Sequence, residues 1–283
     1  MSMTRESIET WMQQRAASEA NNLTISDEKA FGQPIVGFGN GSDELFDFYK
    51  KDIGEFYLLP QEWLAKKYGR CFEPSHLTVI SWAFPQTEKA IEGNRLSDKY
   101  PCKLWSMNRT FGEVFNRETA KALEDWLDSQ SVAAVAPMAH PDFKWADSEK
   151  YGLASLWSER HTAYICGLGT FGLCDGLISK IGKAVRYGSV IADIVLPTDI
   201  RPYTKYNEWC LGAEKCGACI KRCPGNAITP DGHDKNLCRE YQTTHVLPYC
   251  KNYGFDGIYG CGLCQTGVPC EHCVPGHPEL SRQ

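Results

Sequence analysis

The sequence predicts an α/β layered domain followed by a cysteine-rich second domain. Strand-like apolar runs alternate with segments of helical periodicity over residues 35–200. Ten of the fourteen cysteines lie at or after Cys210. Between the two regions, "PTDIRPYTKYNEW" reads as a linker, which places the boundaries at 1–34 for a helical lead-in, 35–205 for the α/β domain and 206–283 for the cysteine-rich domain.

The first thirty residues read as an amphipathic helix and a polar lead-in. "QPIVGFGNGS" is a short strand running into a glycine turn. "SHLTVISWAFP", residues 75–85, is the clearest strand, apolar and β-branched until proline stops it. "FNRETAKALEDWLDSQ" carries Phe115, Ala120, Leu123, Trp126 and Leu127 at helical spacing. "SVAAVAP" reads as a buried strand, "WSERHTAYICGLGTFG" as a helix entering a glycine loop, and "GSVIADIVLP" as one more strand.

The formal charge of −5 and pI near 5.8 argue against a chain-wide nucleic-acid-binding surface. "MSMTRESIETWMQQRAASEA" has no apolar core, and no apolar run reaches bilayer length, so no signal peptide, no membrane partner and a cytoplasmic setting are expected. There the thiols stay reduced, and ligation is favoured over a disulfide framework.

A cubane iron–sulfur cluster takes four thiolates, three of which a tight loop supplies; in two-cluster ferredoxins the cysteine before proline ligates the other cluster. Cys216-x₂-Cys219-x₃-Cys223-Pro224 ends in that way, with Cys210 displaced upstream. Cross-pairing gives Cys210, Cys216, Cys219 and Cys270 for one 4Fe–4S cluster, and Cys223, Cys238, Cys261 and Cys264 for the other. Cys273 competes with Cys270 as eighth ligand, and Cys250 is left over. Paired structural zinc sites are the alternative that Cys-x₂-Cys spacing leaves open.

"GLGTFG", residues 167–172, fits Gly-x-Gly-x-x-Gly, but a helix precedes it where a dinucleotide site needs a strand. Together "HLTVISWAFP", "NRTFGEVFN", "SERHTAYICGLGTFGLCDGLI", "YGSVIADIVLP" and the eight-cysteine pattern resemble epoxyqueuosine reductase and its relatives, which share a cobalamin-binding core with the reductive dehalogenases. The resemblance implies a nitroreductase-like cobalamin-binding core followed by a ferredoxin-like domain with two 4Fe–4S clusters. Electrons would pass from reduced ferredoxin or flavodoxin through the clusters to a corrinoid, and on to a tRNA-borne or small substrate.

Residue by residue, the resemblance assigns Trp105, Arg109, Gly112, Asn116, His161, Gly167, Gly169, Gly172, Gly188 and Ser189 to the cofactor, and Glu159 to proton donation. Each also has an ordinary structural role to weigh: Glu159 as a salt-bridge partner of Arg160, Arg109 to Asn116 as helix capping, the tryptophans as core. His140 and Asp142 follow a strand, and "DGHDKN" reads as a turn. Cys166 and Cys174 flank the glycine loop and read as small buried residues. Leu173-Cys174-Asp175 stands where the family continues with lysine, "YGLASLW" lacks the usual acid, and Asn116 replaces a histidine. These departures bear on the substrate and leave the redox core intact. A cluster-bearing protein that reduces a partner's corrinoid, or one with flavin in its pocket, are the competing expectations.

Overall fold

The computed structural model describes residues 3–257 and 260–281. Helix α1 (Arg5–Ala17) opens with a reciprocal capping box between Thr4 and Ser7 and buries Ile8, Met12 and Ala16. Strand β1 (Ile35–Asn40) is followed by α2 (Glu44–Ile53) and α3 (Pro60–Tyr68), then by β2 (Leu77–Pro85). After α4 (Glu88–Arg95), a helix runs from α5 (Lys103–Met107) through a π-helical turn at Asn108–Gly112 into α6 (Glu113–Ser129). Then come β3 (Ala134–Val135), the hairpin β4 (Trp145–Ser148) and β5 (Gly152–Ser155), α7 (Glu159–Ile165), the hairpin β6 (Gly169–Phe171) and β7 (Leu177–Ser179), and β8 (Val185–Asp193).

The central sheet has the order β1-β2-β8-β3, every neighbour antiparallel. Strands β2 and β8 pair over nine residues, from Leu77 opposite Asp193 to Pro85 opposite Val185. Both faces are covered. Ile80, Trp82, Phe84, Val190 and Ala192 meet α1 and α6, whereas Leu77, Val79 and Ile191 meet α2, α3 and α7. Because alternate side chains along β2 enter different cores, the strand reads as a continuous apolar run. Each such buried side chain contributes roughly 1.5–3 kcal/mol.

The structure is mixed α/β, and two strand limits differ from expectation. "SVAAVAP" yields only the two residues of β3, since Pro137 starts a 3₁₀ turn at Pro137–Ala139. Strand β8 begins three residues earlier than Gly188 and ends at Asp193.

The cysteine-rich segment is built from short pieces: α8 (Gly212–Lys215), α9 (Ala218–Lys221), the hairpin β9 (Ile228–Thr229) and β10 (Gly232–His233), α10 (Lys235–Tyr241) and α11 (Leu247–Cys250). The expected linker is pinned down. Arg5 pairs with Asp199 at 2.9 Å, Arg201 with Asp43 at 2.5 Å, and Tyr203 Oη donates to Tyr164 O at 2.6 Å. The Arg222 guanidinium donates to Leu263 O, Thr266 O, Ser97 O and Asn94 O at 2.8–3.3 Å, tying α9, the 263–266 loop and the end of α4 together. Tail and core share one apolar cluster, in which Tyr164, Leu168, Ile178 and Tyr187 meet Trp209, Ile228, Val268 and Val274.

Candidate functional site

The tail forms two cysteine-lined basins against the core. Cys210, Cys216, Cys219 and Cys270 line a small one of about 360 Å³, walled by Leu173, Ile178 and Val268. Cys223, Cys238, Cys261 and Cys264 of the tail, with Cys174 of the core, line a second, about 1050 Å³ and open to solvent. Helix α9 explains the split. Its single turn buries Cys219 on the first basin and ends at Arg222, so Cys223 emerges one turn later on the other side. Cys273 lines neither basin, and its thiol donates to Pro269 O at 3.5 Å. Cys250 is buried beside Val246 in a separate cluster. Burial pushes the Cys261 thiol up to about 12, so metal loading there releases a proton.

Cys174 lines the second basin and also reaches the first. It interacts with Cys219 of one and Cys264 of the other, and it accepts a hydrogen bond from Lys183 Nζ at 3.2 Å. Its reading as merely a small buried residue is therefore incomplete. Cys166 does behave that way, its thiol donating to Val79 O at 3.4 Å. Lys183 is 3% exposed, and the surrounding sulfurs outweigh burial in holding its ammonium charged.

The core wall of the second basin carries Trp105, Arg109, Arg160 and Arg186. Glu113 draws two of these arginines together, at 3.7 Å from Arg109 and 3.3 Å from Arg186. Their mutual repulsion, with burial, lowers Arg109 to about 10. His233 and Tyr241 close the opposite side. His233 pairs with Asp175 at 3.0 Å, and that contact raises it to about 10. The segment "DGHDKN", expected as a turn, instead supplies strand β10 and the start of α10, which Asp234 caps.

Of the ten residues assigned to a cofactor, only Trp105 and Arg109 line this basin. The others have roles in the fold. Asn116 accepts from Trp82 Nε1 at 2.9 Å and donates to Tyr187 O at 2.9 Å, leaving its amide committed. A Cβ on Gly188 would lie 2.4 Å from the Trp82 ring, and one on Gly112 2.9 Å from Phe31. Gly167, at φ +74°, ends α7 in a Schellman motif: its N–H reaches Tyr164 O, and Leu168 N–H reaches Ala163 O. Gly169 lets β6 approach Ile178 O, and Gly172 closes the hairpin on Gly176. This loop is a helix cap and a hairpin, with neither the preceding strand nor the following helix of a dinucleotide site. His161 bonds Ser158 Oγ at 2.7 Å between Tyr49 and Phe171, and burial lowers it to about 3. Ser189 accepts from Trp157 Nε1 at 2.9 Å.

Glu159 does not line the basin either; it lies behind the wall, where it feels the charge of Glu113. Burial raises it to about 8, and its Oε2 is shielded from solvent without a hydrogen-bond partner. The folded protein thus keeps a proton that the unfolded chain loses near pH 4.5. Stability should fall as pH rises from about 4.5 to about 8, by on the order of 4 kcal/mol. Urea unfolding at pH 5 and pH 9 checks this: Glu159→Gln should lose the slope, and parallel losses in both proteins would refute it. His140 and Asp142 sit at the surface, Asp142 pairing with Lys66 at 3.2 Å.

Two adjoining groups of cysteines, one opening onto a basin walled by aromatic and cationic groups, make up the candidate site. Comparison with known proteins finds similarity to epoxyqueuosine reductases. The chain is 32% identical over 122 residues to the epoxyqueuosine reductase of Leadbetterella byssophila, 35% over 117 to that of Aliivibrio fischeri and 33% over 124 to that of Vibrio cholerae. These matches cover 40%, 39% and 41% of this chain and 35%, 30% and 31% of the relatives, so the chain matches about a third of their length. No protein-family model matches. Among solved structures, the Bacillus subtilis epoxyqueuosine reductase aligns with 96% of this chain and 68% of its own, at 17% identity and a TM-score of 0.49. An epoxyqueuosine reductase bound to an epoxyqueuosine-modified tRNA-Tyr stem loop aligns with 98% and 69%, again at 17% and 0.49. At these scores the likeness adds nothing to the fold described above.

Proposed function

We propose that this chain is an iron–sulfur oxidoreductase of the epoxyqueuosine reductase kind. In this reading a ferredoxin-like tail holds two 4Fe–4S clusters against a nitroreductase-like core. The observation that carries it is the segregation of eight cysteines of the tail into two adjoining basins, each lined from both ends of the tail, with Cys174 of the core added to the second. The sequence spacing supports clusters over zinc, since Cys216-x₂-Cys219-x₃-Cys223-Pro224 ends as ferredoxin ligand runs do.

A corrinoid suits the open basin rather than the glycine loop. Trp105 and Tyr241 offer flat faces, and Arg109, Arg160, Arg186 and Gln86 offer donors to its amide and phosphate periphery. When bound, it supplies a reducible metal centre beside the second sulfur set. The protein's own part is to orient it, limit water, and hold a proton on Glu159 behind the wall at neutral pH. The relatives' name gives epoxyqueuosine as their substrate, and in this reading the chain reduces that tRNA-borne nucleoside or a related oxidised compound. Removing an epoxide oxygen as water consumes two electrons and two protons, a demand that paired one-electron clusters meet. Reduced ferredoxin or flavodoxin is the donor, and the site of action is the cytoplasm.

Protein prepared without oxygen and with cobalamin present should carry about eight irons, about one cobalt and a corrin absorption band. Zinc in place of iron would overturn the reading. Because most residues first assigned to the corrinoid are committed to packing, a second reading stands: an electron-transfer protein that reduces a partner. Full iron with neither cobalt nor flavin would select it.

A further inference from the structure

We propose that Lys183 is the shared countercharge of the two basins, a positioning residue that raises the reduction potential of both clusters and so tunes the electron step between them. This rests on the two-cluster reading above.

The fold delivers the ammonium to this place. Ser179 and Gly182 exchange backbone hydrogen bonds at 3.0 and 2.9 Å, and the next residue, Lys183, donates its own N–H to Cys270 O at 2.8 Å. Gly182 is at φ +86°, and a Cβ there would stand 2.2 Å from Glu271 O, so only glycine lets the turn press on the ligand loop. A Cβ on Gly176 would meet the Lys183 stem at 2.8 Å, so that glycine makes room for the side chain. Nζ then reaches Cys174 Sγ at 3.2 Å, with Cys270, Cys264 and Cys219 as its other sulfur neighbours. Cys270 and Cys219 belong to the first basin and Cys264 to the second.

Among the described residues Lys183 has no carboxylate within salt-bridge distance. A buried ammonium without an anion costs several kcal/mol. Here its only anionic company is sulfur, so the site repays that cost when both basins hold thiolate-bound clusters. Each cluster gains a negative charge when it accepts an electron. A fixed cation in a low-dielectric interior therefore favours the reduced form, and net charge and hydrogen bonds to the sulfurs are established controls of cluster potential. One electron passes from the reduced donor to one cluster and on to the other, with no bond made or broken. Lys183 lines the first basin, and its ammonium is held by Cys174, which lines the second.

The test is a redox titration of anaerobically reconstituted full-length protein, followed by spin resonance, on wild type, Lys183→Met and Lys183→Gln. Both variants delete the charge, and only one deletes the polar head. Each should retain full iron and become harder to reduce at both clusters, by at least tenfold in the reduction equilibrium, or about 59 mV for one electron. Unmoved midpoints at full iron would overturn the proposal. So would a shift in Lys183→Met alone, which marks packing, or iron loss confined to the variants, which marks a scaffold. Failure of the underlying reading shows elsewhere, as wild-type protein without iron.

Discussion

Replacing Cys223 with alanine should lower bound iron from about eight to about four per chain and abolish the spin-resonance signal of one cluster. Its position makes this the most informative ligand variant. Cys223 is four residues from Cys219, yet α9 ends between them and the two open onto different basins. If neighbouring cysteines served one metal, removing either would empty the same site. Here Cys219→Ala and Cys223→Ala should remove different signals. Cys270→Ala should match Cys219→Ala, because Cys270 lines the first basin and its backbone carbonyl is gripped by Lys183 N–H. Cys273→Ala should leave iron unchanged, since that residue lines neither basin. Each cluster would also tie distant parts of the tail together, and metal binding energy is folding energy in such segments. Both ligand variants should therefore unfold at lower temperature than wild type while keeping the remaining cluster. Loss of iron in Cys273→Ala and not in Cys270→Ala would sink the ligand assignment.

What the sequence could reveal follows from how local the cause is. Strand β2 is bounded by its own proline and buried on both faces, so its composition alone marks it. The cysteine-rich tail is legible because its short Cys-x₂-Cys and Cys-x₃-Cys spacings are local to single loops. Strand β3 is not legible at its true length, because an edge position beside Pro137 decides it. The basin wall is the opposite case. Trp105, Arg109, Arg160, Arg186, His233 and Tyr241 come from five separate elements, and no local pattern ties them. Lys183 and Cys174 are likewise nine residues apart and meet only because the β6–β7 hairpin folds back. The glycines of "GLGTFG" are ambiguous for a physical reason. Permissive backbone serves a helix cap and a close strand pairing as readily as a cofactor, and sequence cannot say which.

Gly262→Ala should lose the second cluster outright and destabilise the chain by about 4 kcal/mol or more. Gly262 stands between Cys261 and Cys264 at φ +67°, and a Cβ there would lie 2.2 Å from both Cε2 and Nε1 of Trp105. Two separate costs are involved. The left-handed backbone alone costs about 1–2 kcal/mol for a residue with a Cβ. Gly254 isolates that component, since it has φ +84° and nothing within 4 Å of the would-be Cβ; Gly254→Ala should cost only that much and retain both clusters. The rest is collision with a buried indole, 4% exposed, that belongs to the core and not to the tail. A double-mutant cycle separates them. Trp105→Ala removes the obstacle at the expense of a cavity, and in that background Gly262→Ala should cost no more than Gly254→Ala does alone, with iron restored to both basins. Additivity of the two variants would mean that the ligand loop and the indole do not meet. The second basin would then be a property of the tail alone, and its core wall would have no part in holding an acceptor beside the sulfurs.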